Sequence, residues 1–136
     1  MRANEPAING FIDGLLDQYG LTPARCILLG FSQGAITSIH TGPRRDTPLA
    51  GVVGFSGAMF TGDTLGDELK SRSPFVLIHG AEDQVLPASG TEEAGRRFDE
   101  VGVPVEVHIL PGLGHTIDKR GLDIATEFMK RVLTAS

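Results

Sequence analysis

The chain has 136 residues, with 12 Lys and Arg against 17 Asp and Glu, a formal charge of −5 and a hydrophobic share of 40 %. That suits one folded domain over residues 1–136 and excludes a disordered chain. With no apolar run near the roughly 20 residues of a membrane span, no signal-like N-terminus, one cysteine (Cys26) and no basic block, the expectation is a soluble, cytoplasmic protein without a disulfide framework, membrane span or nucleic-acid partner.

The first predicted element is a helix. Ile8, Phe11, Ile12, Leu15, Leu16 and Tyr19 follow a helical period and form an apolar stripe. Asn4 is placed to cap its start and Gly20 to end it in the left-handed conformation. Cys26 to Leu29 reads as a fully buried strand, and Gln33 to His40 as a helix ending before Gly42-Pro43. Val52 to Phe55 is a second buried strand, followed by a glycine-rich loop from Gly57 to Gly66. Phe75 to Ile78 is a third. Ser89 and Glu92 have the spacing of a capping box, opening a helix that runs to about Val101. Val105 to Ile109 alternates as an edge strand does, and Leu122 to Leu133 is a terminal helix with Ala125, Phe128, Met129, Val132 and Leu133 inward. Helices alternating with short apolar strands predict an α/β fold of about four parallel strands with helices on both faces.

Gly30-Phe31-Ser32-Gln33-Gly34 matches G-x-S-x-G between a predicted strand and a predicted helix, where a nucleophile elbow sits. A sharp turn there strains the serine backbone and leaves no room for side chains two residues away on either side. The helix start aims N–H groups, that of Gln33 first, at a developing negative charge. Gly54-Phe55-Ser56-Gly57-Ala58 is a near-copy without a following helix, so Ser56 is expected at a strand end beside the site rather than as nucleophile.

A serine nucleophile needs a base, and the base an orienting carboxylate. Glu82 and Asp83 follow the third strand and His115 follows the fourth, so both loops emerge at the rim that carries Ser32. Asp83, further into its turn, is preferred to Glu82. Asp118 reads as a helix cap. Of the other histidines, His40 is expected at the surface and His108 on the polar face of an edge strand. His79 is expected to pack or hydrogen-bond beneath the acid loop. Cys26 is expected to be buried and inert.

Gly-Phe-Ser-Gln-Gly at 30–34, Phe-Ser-Gly at 55–57, His-Gly-x-x-Asp at 79–83 with Val85 and Pro87 after it, and Gly-His at 114–115 together resemble the phospholipase/carboxylesterase family of α/β-hydrolases. The resemblance runs from the first helix to the C-terminus; Ala35 stands where members often carry glycine or another small residue. It implies Ser32 as nucleophile, Asp83 as acid and His115 as base. The activity expected is hydrolysis of small-molecule, short-chain esters without metal or cofactor. A thioesterase or lysophospholipase on longer acyl chains, or a non-catalytic interaction module, are the alternatives. Phe31, Met59, Phe60 and Leu86 are the candidate substrate-binding residues, with Met59 and Phe60 forming an apolar wall for the acyl group. Family members are longer at the N-terminus, so the chain resembles a truncated, minimal version of the fold. Cys26 to Leu29 then becomes an exposed apolar edge, and a homo-oligomer covering it is expected.

Overall fold

The computed structural model describes residues 4–135. Helix α1 (Glu5–Tyr19) leads into strand β1 (Ile27–Phe31), helix α2 (Gln33–Thr41) and strand β2 (Gly51–Phe55). A short helix α3 (Leu65–Glu68), strand β3 (Phe75–Gly80), helix α4 (Ala88–Glu100), strand β4 (Val105–Leu110) and helix α5 (Lys119–Thr134) complete the order. The strands form one parallel sheet in sequence order, β1-β2-β3-β4. All strand carboxyl ends therefore lie along one rim. Phe31 stands beside Phe55, Phe55 beside Ile78, and Ile78 beside His108.

Alternate residues of each strand face opposite layers. Val52, Phe75 and Leu77 pack with Ile12 and Leu16 of α1, Ile39 of α2, and Ala94 and Phe98 of α4. Phe75 and Phe98 stack there with ring centroids 4.3 Å apart. Val53, Phe55, Val76 and Ile78 pack with Ala125 and Phe128 of α5. Helices thus cover both faces, α1, α2, α4 and, through Leu65, α3 on one and α5 on the other. Among the described residues no helix is long and apolar enough to cross a membrane.

Several local expectations are corrected. Strand β1 is partly exposed rather than fully buried, with Leu29 51 % and Phe31 38 % exposed. It pairs with β2 alone among the described residues, and an edge strand gives its outer side no neighbour. The α1 stripe is wider than its cover: Ile12 and Leu16 are buried, whereas Phe11, Leu15 and Tyr19 are exposed. Asn4 makes no side-chain cap because its own backbone is already near-helical (φ −89°, ψ −14°), and an N-cap needs extended backbone. Ser89 does not cap either. Pro87 takes the extended boundary position and Ala88 opens α4, which leaves Ser89 inside the helix. Gly20 does end α1 in the left-handed conformation (φ 64°), and the Asp118 carboxylate accepts from the Gly121 N–H at 3.1 Å to cap α5.

His40 is buried, contrary to the surface position expected of it. It ends α2 beneath α1 and the loop after β2, with Nε2 2.7 Å from Glu5 Oε2 and Nδ1 2.8 Å from Thr61 Oγ1. His108 is half-buried on β4, 3.5 Å from Glu106. Cys26 is half-buried, and burial pushes its thiol above the ordinary range despite the opposing pull of Arg45.

Candidate active site

Ser32 is the corner between β1 and α2. Its backbone is left-handed (φ 55°, ψ −114°), a conformation a non-glycine residue holds only when its surroundings impose it. They do so through Ser32 N–H, which donates to the Phe55 carbonyl at 2.9 Å, and through the Ser32 carbonyl, which accepts from Ile36 N–H at 3.0 Å. A Cβ on Gly30 would lie 2.3 Å from the Gly34 carbonyl carbon, so that position has room for glycine alone. The matching expectation for Gly34 is corrected: it is exposed in the first turn of α2, and a Cβ there meets nothing within 4 Å. Gln33 opens α2, so its backbone N–H is among those for which a helix has no internal acceptor. Ser56, directly after β2, has the same left-handed φ of 55° and is buried beside this corner.

The loops after β3 and β4 are fastened to each other by backbone. Ala81 N–H donates to the Leu110 carbonyl at 2.9 Å, and Glu82 N–H to that of Leu113 at 2.8 Å. Gly80 permits this approach, since a Cβ there would sit 2.3 Å from the Leu113 oxygen. Asp83 and His115 are brought together as a result, while Glu82 points to solvent.

The three side chains form one row. His115 Nδ1 lies 2.6 Å from Asp83 Oδ2, and His115 Nε2 lies 3.0 Å from Ser32 Oγ. The Asp83 side chain is fully buried and that of His115 17 % exposed. Asp83 Oδ1 accepts from Val85 N–H at 2.8 Å and Leu86 N–H at 2.9 Å. Burial alone would push the Asp83 carboxyl up. The hydrogen bond from His115, then those from Leu86 and Val85, outweigh it and hold the carboxyl below its usual range.

Around this row, Phe31 stacks obliquely on His115 with ring centroids 5.0 Å apart. Leu86 is half-buried and contributes its backbone to the acid loop. Met59 is half-buried against the layer of α1, α2 and α4, and Phe60 is exposed. His79, at the end of β3, is buried and bonded to Thr91 and to the Leu86 carbonyl. The role of Thr91 was not legible in the sequence: it is one of several polar residues on α4, and only the turn of that helix selects it. Among the described residues no group of three or more His, Cys, Asp or Glu side chains is arranged to hold a metal ion. A polar cleft of about 250 Å³ beside Glu5, Asn9, Asp13 and Arg45 shares no residue with the row.

The family described as phospholipase/carboxylesterase matches residues 1–133. Acyl-protein thioesterase 1 of Aspergillus fumigatus is 31 % identical over 84 % of this chain and 50 % of its own length. Esterase YpfH of Escherichia coli is 28 % identical over 83 % of this chain and 47 % of its own. Among solved structures, that of esterase PE8 superposes with a TM-score of 0.93 at 40 % identity, over 96 % of this chain and 61 % of its own. The chain therefore spans about half the length of these curated relatives.

Proposed function

Because the chain belongs to the phospholipase/carboxylesterase family, we propose that it hydrolyses carboxylic esters through Ser32, His115 and Asp83. The observation that carries this reading is the continuous path from Ser32 Oγ to His115 Nε2 and from His115 Nδ1 to Asp83 Oδ2. Ser32 Oγ attacks the ester carbonyl carbon as His115 Nε2 takes its proton. Asp83 keeps the other imidazole proton on Nδ1 and stabilises the imidazolium that forms. The carbonyl oxygen becomes a tetrahedral oxyanion, which accepts from the Gln33 N–H at the start of α2. Collapse breaks the bond to the alcohol, which leaves with the proton from His115. Water, deprotonated by the same imidazole, then releases the acid and restores Ser32.

Phe31, stacked on His115, and Leu86 of the acid loop flank the acyl group in this reading, with Met59 and Phe60 as its outer apolar wall. In this reading the acyl chain is short. The likeness to acyl-protein thioesterase 1 of Aspergillus fumigatus favours a second reading, thioester cleavage on longer chains by the same chemistry. Rates on acetyl, butyryl and longer p-nitrophenyl esters, set beside a palmitoyl thioester, separate the two.

The decisive experiment is covalent labelling with a fluorophosphonate. The wild-type chain is expected to label and Ser32→Ala to lose the label; equal labelling of both, or none of either, refutes the assignment. We further propose that a second copy of the chain covers the open edge of β1, on the strength of the exposed apolar side chains there and on α1.

A further inference from the structure

We propose that His79 is a positioning residue for the Asp83–His115 pair, a role that rests on the reading of Ser32, His115 and Asp83 given above. His79 lies at the carboxyl end of β3 with its side chain fully out of solvent. A buried imidazole is costly unless both nitrogens are bonded, and an apolar side chain of similar size fills such a position without that requirement. Both nitrogens are engaged, and each partner belongs to the acid loop or to the helix that follows it.

The partners fix the tautomer. Nε2 faces two acceptors, the Leu86 carbonyl at 2.7 Å and Asp83 Oδ2 at 3.2 Å. It therefore carries a proton. Nδ1 then accepts from the Thr91 hydroxyl, 2.7 Å away on α4. Leu86 is held at both ends of its peptide groups: its N–H donates to Asp83 Oδ1, and its carbonyl accepts from His79. The loop from Asp83 to Leu86 is thus closed onto the imidazole, and the imidazole is anchored to α4. With Oδ1 occupied by two backbone N–H groups and Oδ2 accepting from His115, and with His79 Nε2 3.2 Å from the same Oδ2, the carboxylate has one orientation in which its three donors are served and the His79 ring flanks it. In that orientation Oδ2 faces His115 Nδ1.

The nitrogen that matters is Nε2, and this separates positioning from mere filling of space. A glutamine at position 79 places its amide nitrogen near the site of Nε2, whereas an asparagine reaches only the site of Nδ1. We expect His79→Asn to lower kcat on p-nitrophenyl butyrate by about 10- to 100-fold, the scale set by small misplacements of a reacting group. KM is expected to stay within about twofold, because no contact with substrate is lost. His79→Gln is expected to restore kcat to within about threefold of wild type. The second readout is the downfield proton resonance of the His115 Nδ1–H···Asp83 bond, present in wild type and His79→Gln and lost in His79→Asn. Equal loss of kcat in both folded variants, or no loss in either with the resonance unchanged, overturns the proposal. If the wild-type chain neither labels with fluorophosphonate nor hydrolyses the ester, the hydrolase reading falls. The resonance in the two variants then still decides whether His79 orients the pair. Thr91→Val, which leaves His79 in place, is expected to broaden the same resonance; an unchanged signal counts against the anchor.

Discussion

Gly30 and Gly34 flank Ser32 alike in sequence, yet they meet different surroundings. A methyl group on Gly30 would press on backbone atoms of Gly34 and Ala35, none of which can rotate aside. Gly30→Ala is therefore expected to open the corner, abolish fluorophosphonate labelling and destabilise the chain by about 1–3 kcal/mol, as overpacking does. Gly34→Ala faces open space in the first turn of α2 and is expected to leave the urea midpoint unchanged or raise it, by up to about 1 kcal/mol of helix propensity. A shared midpoint for the two variants would contradict the steric argument. Asp83 carries a pH signature as well. Its folded-state pKa lies below the ordinary value, so the unfolded chain binds that proton more readily. The stability this supplies is complete above about pH 4, the ordinary carboxyl range, and is lost as pH falls through the lower folded-state value. In Asp83→Asn the acid-side decline in urea midpoint is expected to be shallower than in wild type; parallel declines would show that the carboxylate contributes nothing there.

Among the described residues, helix α5 is the one element from which the second hydrophobic cluster draws its helical side chains, whereas α1, α2, α3 and α4 share the opposite layer. Phe128 is its principal anchor, buried against β2, where a Cβ on Gly51 would lie 2.8 Å from the ring. Phe128→Ala is expected to cost about 3–5 kcal/mol, read as a drop in the urea midpoint with an unchanged slope; a loss below 1 kcal/mol, on the order of a surface change, would mean that α5 is not what seals this face. The four strands and the longer helices were legible, because short apolar runs bounded by Gly and Pro distinguish buried parallel strands from amphipathic helices; the short helix α3, which begins within the segment read as a glycine-rich loop, was not. What could not be read was set by which elements meet. His40 has the sequence surroundings of a surface residue, and only the approach of Glu5 and Thr61 buries it. The Ser89 spacing satisfies a capping box, yet Pro87, with its fixed φ, takes the helix boundary first. At the candidate site, Ser32, Asp83 and His115 were legible as residue types in chain order. The crossing of the two loops at Gly80 that brings Asp83 to His115 was not, since it depends on a backbone approach between segments more than thirty residues apart.

Among the described residues the sheet has two open sides, and they differ in character. Strand β4 presents Glu106 and His108 among its apolar residues, with Arg131 of α5 paired to Glu106 at 2.7 Å. Charges along an edge discourage pairing with another chain. Strand β1 has none: Ile27, Leu28, Leu29, Gly30 and Phe31 run uninterrupted to Ser32, and Phe11, Leu15 and Tyr19 of α1 add exposed apolar surface. An apolar edge strand with free backbone donors and acceptors is a template for a partner strand, and a second copy supplies the same edge by symmetry. The 136-residue chain, of 14.4 kDa, is accordingly expected to sediment as a dimer or larger species at micromolar concentration. Leu29→Lys places a charge at the most exposed apolar position of that edge and is expected to shift the population to monomer while leaving the far-UV circular dichroism unchanged. A wild-type chain that sediments as a monomer throughout, or a Leu29→Lys variant that associates as before, would place any self-association elsewhere than β1.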